Sequence, residues 1–240
     1  GRLEAIDPQH RVIANSVSAF AEGRDGTLWI GTGEVGLYRL RPDAPGALPV
    51  RVPLPPEAGD VKALYEDRDG TLWVGTTGVV CKVTGGTVSV LAQPDGERSG
   101  QGFAFFEDPD GSLWIGTDRG LLRLHEGRMQ RFDRRQGLPD DVVFRILDDG
   151  RGNLWLTSNH GIGRVSRESL LRVEQGKAER VEAVLYTRGD GLRSHQCNGA
   201  SQPAGWRARD GRLLIPTNRG LSVIDPGRLV LNDQVPPVTI

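Results

Sequence analysis

Six polar side chains carry the chemistry this sequence could do: Arg119, His160, Arg193, His195, Asn198 and Arg219. All fall in turn-rich segments between short apolar runs, the places where a scaffold presents binding groups. Arginine offers a planar fork of donors, and Asn and His offer mixed donors and acceptors. Such a set suits a polar small molecule, a carbohydrate for example, or a segment of a protein partner. It does not read as a catalytic array. His10 and His125 fall elsewhere, and no Ser/His/Asp or paired-carboxylate spacing accompanies His160 or His195.

Metal chemistry is not expected. Asp67-x-Asp69-Gly70 and Asp108-x-Asp110-Gly111 begin like calcium loops, but Thr71-Leu72-Trp73 and Ser112-Leu113-Trp114 follow where further oxygen ligands would be needed. Cys81 and Cys197 stand far apart with no metal-ligand spacing; both are expected free, Cys81 as a small buried strand residue. No cofactor is expected. The charge balance, 30 Lys+Arg against 31 Asp+Glu, has no basic stretch that could track a phosphate backbone, so nucleic acid is not an expected partner. The longest apolar runs fall far short of the ~20 residues that span a bilayer.

The elements that must position these residues come from a repeat. Gly26-Thr-Leu-Trp-Ile-Gly-Thr32 returns at Gly70–Thr76 and Gly111–Thr117, and more loosely at Gly152–Ser158 and Gly211–Thr217. The leading glycines at 26, 70, 111, 152 and 211 give steps of 44, 41, 41 and 59 residues. Around each copy, β-branched and aromatic runs of five or six residues alternate with Asp-Gly turns, as in Val142–Leu147, Leu154–Ser158 and Ile162–Ser166. Four such strands and their turns fill one propeller blade of roughly 40 residues. Helical repeats of that period would need sustained 3.6-residue apolar periodicity, which is missing.

The predicted fold is therefore all-β: a β-propeller of four-stranded antiparallel blades, about five in this chain. Blade motifs lie near 17–40, 61–83, 103–124, 142–166 and 205–225, within a propeller region of residues 1–230. Leu-Trp-Ile-Gly-Thr is apolar on both faces, as a blade packed between two neighbours requires. Trp29, Trp73, Trp114 and Trp155 are read as the inter-blade core, each burial worth about 4–6 kcal/mol at about 25 cal/mol per Å². Trp206 falls outside that register. Gly1–Asp7 aligns with the outer-strand segment Gly127–Asp133. The chain then reads either as a piece of a larger propeller or as a five-bladed ring closed by its first strand. Residues 231–240, with Pro236-Pro237, read as a linker into a following domain.

Five copies of Asp-Gly-x-Leu-Trp-Ile-Gly-Thr…Gly-Leu-x-Arg-Leu resemble the two-component regulator propeller repeat. Asp190-Gly191-Leu192-Arg193-Ser194-His195-Gln196-Cys197-Asn198-Gly199, followed by Ile224-Asp225-Pro226, is similar to that family's terminal repeat. The fourth motif departs from the pattern at Thr157-Ser158, and the fifth at Leu214 and Pro216. The resemblance implies a periplasmic sensor region that relays binding to a histidine kinase or diguanylate cyclase outside this chain. It implies no catalysis and no membrane contact here; a homodimer formed through adjacent domains is compatible with it. Two alternatives stand beside it: a propeller enzyme of the streptogramin lyase type, and a protein-interaction scaffold.

Overall fold

Within each repeat, alternation of side chains to opposite faces turns a run such as Leu-Trp-Ile-Gly-Thr into the second strand of an antiparallel sheet. The computed structural model describes residues 16–34, 36–44, 46–92, 98–199 and 202–229. The expected strand at Gly1–Asp7 and the expected linker at 231–240 lie outside them.

The first blade comprises β1 (Val17–Glu22), β2 (Leu28–Thr32), β3 (Gly36–Leu40) and β4 (Val50–Val52). The second comprises β5 (Val61–Glu66), β6 (Leu72–Thr76), β7 (Val80–Thr84) and β8 (Thr87–Val90). The third comprises β9 (Gly102–Glu107), β10 (Leu113–Thr117), β11 (Gly120–His125) and β12 (Arg128–Phe132). The fourth comprises β13 (Arg145–Asp148), β14 (Asn153–Thr157), β15 (Ile162–Ser166) and β16 (Ala183–Tyr186). Three strands of a fifth blade are described: β17 (Trp206–Arg207), β18 (Leu213–Thr217) and β19 (Gly220–Ile224). Every pairing is antiparallel between sequence neighbours, and the first strands β1, β5, β9, β13 and β17 stand side by side around the axis. This is the blade architecture of a β-propeller.

The cores lie between sheets. Trp114, fully buried, shares a cluster with Ile146, Leu154 and Val165 of the next blade. Trp155, also fully buried, packs with Leu213, Ile215 and Ile224 of the fifth. The glycine two residues after the tryptophan is the recess that lets the next sheet close. A Cβ on Gly75 would stand 2.4 Å from the Gly102 carbonyl oxygen, and one on Gly116 would stand 2.5 Å from that of Val143. The same face of the fifth blade carries Leu214 and Pro216, and the adjacent Trp206, Leu221 and Val223 are exposed.

The Asp-x-Asp-Gly turns, and the Asp149–Gly152 turn that takes their place in the fourth blade, have a structural purpose. The indole N–H of Trp73, Trp114 and Trp155 donates to the carboxylate six residues earlier, Asp67 at 2.7 Å, Asp108 at 2.7 Å and Asp149 at 3.1 Å. Each Trp is thereby anchored at its polar edge while its body fills the inter-blade space.

Two local expectations need correction. The run at 142–147 enters the sheet only at Arg145, because the Val142 N–H bonds the Asp140 side chain and the Val143 N–H crosses to the Thr117 carbonyl of the preceding blade. A short helix, α1 (Arg167–Glu174), also follows β15. Ser166 caps it by accepting the Ser169 N–H at 3.2 Å, and Leu170 is buried in the cluster around Trp114. That helix and the long connection after β16 account for the 59-residue step.

Candidate functional site

The loops between second and third strands share one rim, and one device builds them. The Thr or Ser at the end of the second strand, or just after it, turns its hydroxyl back onto the loop. Thr117 Oγ1 donates to the Gly120 carbonyl and accepts the Arg119 N–H at 3.0 Å. Ser158 Oγ accepts the His160 N–H at 3.0 Å, and Thr217 Oγ1 accepts the Arg219 N–H at 3.3 Å. The residue two places on is thus held at the tip: Arg119, His160 and Arg219 occupy equivalent positions in successive blades.

The connection to the fifth blade adds the remaining predicted residues. Segment 194–198 runs between two of these loops. The Cys197 N–H bonds the Ser158 carbonyl at 3.0 Å, the Asn198 N–H bonds the Pro216 carbonyl at 3.0 Å, and the Asn218 N–H bonds the Gln196 carbonyl at 3.1 Å. Ser194 Oγ donates to Asn218 Oδ1, and Asn218 Nδ2 donates to Gln196 Oε1. His160, Arg193, His195, Asn198 and Arg219 therefore gather on the rim between the fourth and fifth blades, with Arg119 one blade away. Arg193, Asn198 and Arg219 are exposed, and His195 is half-buried. Among the described residues, no acid pairs with the guanidinium of Arg193 or Arg219.

His160 has the most structured setting. Its Nδ1 lies 2.7 Å from Oδ2 of Asp140, a buried carboxylate, while the ring itself stays largely exposed. Burial pushes the Asp140 carboxyl up, but hydrogen bonds from His160, Ser158 and the Val142 N–H outweigh it and hold the group below its ordinary value. The imidazole is fixed by an anion behind it, with its other nitrogen turned away from that anion.

A second polar group was not anticipated. Gln202 reaches to β5 on the inner side of the sheets: its Oε1 accepts the Leu64 N–H at 2.9 Å and its Nε2 donates to the Leu64 carbonyl at 2.8 Å. It borders a cavity of about 290 Å³ on the axis, lined also by Arg145 and by Tyr65, whose hydroxyl donates to Glu107 at 2.9 Å. Arg145 Nε donates to the Gly205 carbonyl at 3.2 Å, and burial pulls its pKa down. An arginine inside the apolar run 142–147 was the available sequence signal; Gln202 gave none.

Among the described residues, no group of three or more His, Cys, Asp or Glu is placed to hold a metal ion. Both cysteines are buried and free, and burial pushes each thiol up to about 11. No helix among the described residues is long and apolar enough to cross a membrane.

Fold and rim together define a repeat-built β-propeller with polar side chains gathered on one loop face. Residues 12–34, 56–78, 103–119 and 137–160 match the model of the two component regulator propeller, so these four segments are copies of that repeat. Among solved structures, it is similar to the extracellular domain of the hybrid two component system BT4673 from B. thetaiotaomicron, at 21% identity and a TM-score of 0.68. The match covers 89% of this chain and 30% of that one. The corresponding domain of BT3049 from the same organism gives 16% identity and a TM-score of 0.65, over 88% of this chain and 29% of that one. Virginiamycin B lyase from Staphylococcus aureus gives 14% identity and a TM-score of 0.60, over 88% of this chain and 70% of that one. The chain thus spans less than a third of the length of these two extracellular domains. At these identities the likeness is one of fold. No curated protein matches the sequence.

Proposed function

We propose that this propeller is the ligand-binding part of an extracytoplasmic bacterial sensor. It takes a polar small molecule, such as a carbohydrate, or a protein segment on the rim between its fourth and fifth blades, and relays occupancy to a kinase or diguanylate cyclase. The observation that carries this reading is the pair Arg193 and Arg219. Both guanidinium groups are exposed, neither has an acidic partner among the described residues, and both stand on loops already fixed by backbone hydrogen bonds. Fixed donors of that kind bind without paying a large ordering cost. His160, His195, Asn198 and Arg119 extend the same surface. A signal follows if the ligand favours one conformation of the full-length protein over another.

Thermal unfolding of the chain across a panel of sugars and small anions tests the reading. A compound that raises Tm in the wild type and not in Arg193→Ala/Arg219→Ala supports it; stabilisation that survives both substitutions refutes the rim as the site.

One observation favours a second reading. The Asp140–His160 pair, at 2.7 Å, is a carboxylate-oriented imidazole of the kind that general acid–base chemistry uses, and a streptogramin-type lyase shares the fold. Turnover of virginiamycin B that disappears in His160→Ala would establish it in place of the sensor.

A further inference from the structure

A cavity of about 680 Å³ lies on the opposite rim, between the first and second blades. Comparison with the equivalent groove between the third and fourth blades shows what it lacks. In the third blade, Arg123 stands opposite Trp114 in the strand register, with its guanidinium 5.7 Å from the ring centroid. It donates to Ser112 Oγ at 2.6 Å and to Glu174 at 2.6 Å. Glu174 is delivered by α1, so one element of the chain brings a carboxylate and apolar side chains into that groove.

In the first blade, Arg39 stands opposite Trp29 in the same register, and Thr27 takes the place of Ser112. Among the described residues, no helix is inserted here. Asp25, the counterpart of Asp110, is engaged by Arg41 at 2.5 Å, and among the described residues no carboxylate reaches Arg39. The other anion of the third blade is missing as well. Asp108 has Gly23 as its counterpart, and the buried Trp29 indole nitrogen has no hydrogen-bond partner among the described residues.

We infer that this groove is a binding site for a small monocarboxylate with an apolar body, seated with its carboxylate on Arg39 and its body against Trp29, Leu48 and Leu72. The ligand supplies what Glu174 and Leu170 supply two blades on. Of the four arginines that line the cavity, Arg68 pairs with Glu107 and Arg41 with Asp25, which leaves Arg39 as the guanidinium beside Trp29 and suits one negative charge rather than a polyanion. The acids are also engaged in part: Glu66 accepts the Arg24 N–H at 2.9 Å. Arg39, unlike Arg123, is exposed at the mouth of the groove; a charge-assisted contact is stronger than a neutral one, so Arg39 carries much of the selectivity.

The test is titration of ¹⁵N-labelled protein with phenylacetate and with hexanoate, followed through the indole N–H signal of Trp29, assigned by its loss in Trp29→Phe. A saturable shift is expected with at least one acid. It should weaken by about tenfold or more in Arg39→Ala, persist in Arg219→Ala, and be absent with phenylacetamide. No saturable shift with either acid, or an equal response to the amide or in Arg39→Ala, overturns the proposal. Because Arg219 lies on the other rim, either result leaves the sensor reading to its own experiment.

Discussion

Oδ2 of Asp108 lies 2.7 Å from the indole nitrogen of Trp114, a side chain with no exposed surface. The pair joins the turn after β9 to the middle of the inter-blade core. Asp108→Ala leaves a buried donor without an acceptor and should cost about 1–3 kcal/mol. In a chain of this size that lowers Tm by roughly 2–4 °C for each kcal/mol, measured by calorimetry. Asp67→Ala should behave alike through Trp73, which Asp67 anchors at the same distance.

The recess beside each tryptophan predicts a second class of defect. Gly75→Ala and Gly116→Ala force a methyl group against the backbone carbonyls of Gly102 and Val143. Backbone cannot swing aside as a side chain does, so each should destabilise by about 1–3 kcal/mol. Gly26→Ala is a useful contrast: nothing lies within 4 Å of its added Cβ, and its cost comes from φ alone, at +77°. Denaturant midpoints of the three variants should separate packing from conformation.

Acid stability should show opposing contributions from equivalent residues. Burial pushes the Asp149 carboxyl up, but Asn153, Trp155 and two backbone N–H groups outweigh this and hold it below its ordinary 3.8. Its folded pKa is depressed, so its stabilisation is present above 3.8 and lost as pH falls through the folded value. Asp108 has the reverse sign: burial, helped by Asp110 and Asp148, lifts its carboxyl despite Trp114 and Arg167. Its ionised form is disfavoured by folding, and that penalty fades as pH falls below its raised value. At neutral pH, Asp149→Asn should therefore destabilise more than Asp108→Asn, and only Asp149→Asn should flatten the acid limb of a Tm–pH curve.

Glu174 should matter more than its place in a short helix suggests. It lies 2.6 Å from the buried Arg123 guanidinium. Glu174→Ala leaves that cation with Ser112 and a 3.4 Å approach from Asp110, and a loss of about 3 kcal/mol is expected. The double variant Arg123→Met/Glu174→Leu should recover most of it, measured by the same unfolding curves.

What could be read in the sequence follows from how local each constraint is. Trp114, Gly116 and Thr117 state a blade within four residues, because strand alternation alone sends them to known faces. The rim positions of Arg119, His160 and Arg219 follow from the same register. The role of Asp67 and Asp108 was not legible, since an Asp-x-Asp-Gly turn looks alike whether it faces a cation or an indole. Helix α1 is announced only by Ser166 and the spacing of Leu170 and Val173, too short a pattern to stand out from loop. Gln202 on β5 and Glu174 on Arg123 are pairings across 138 and 51 residues, and no local pattern encodes them.

The most direct test of the sensor account is calorimetric titration of the wild-type chain, and of Arg193→Ala/Arg219→Ala, with any compound that raises Tm in the panel. The account predicts saturable binding to the wild type and a loss of affinity of about tenfold or more in the double variant, with Tm in the absence of ligand unchanged. Equal affinity for both proteins, or no saturable binding by any compound, would contradict it.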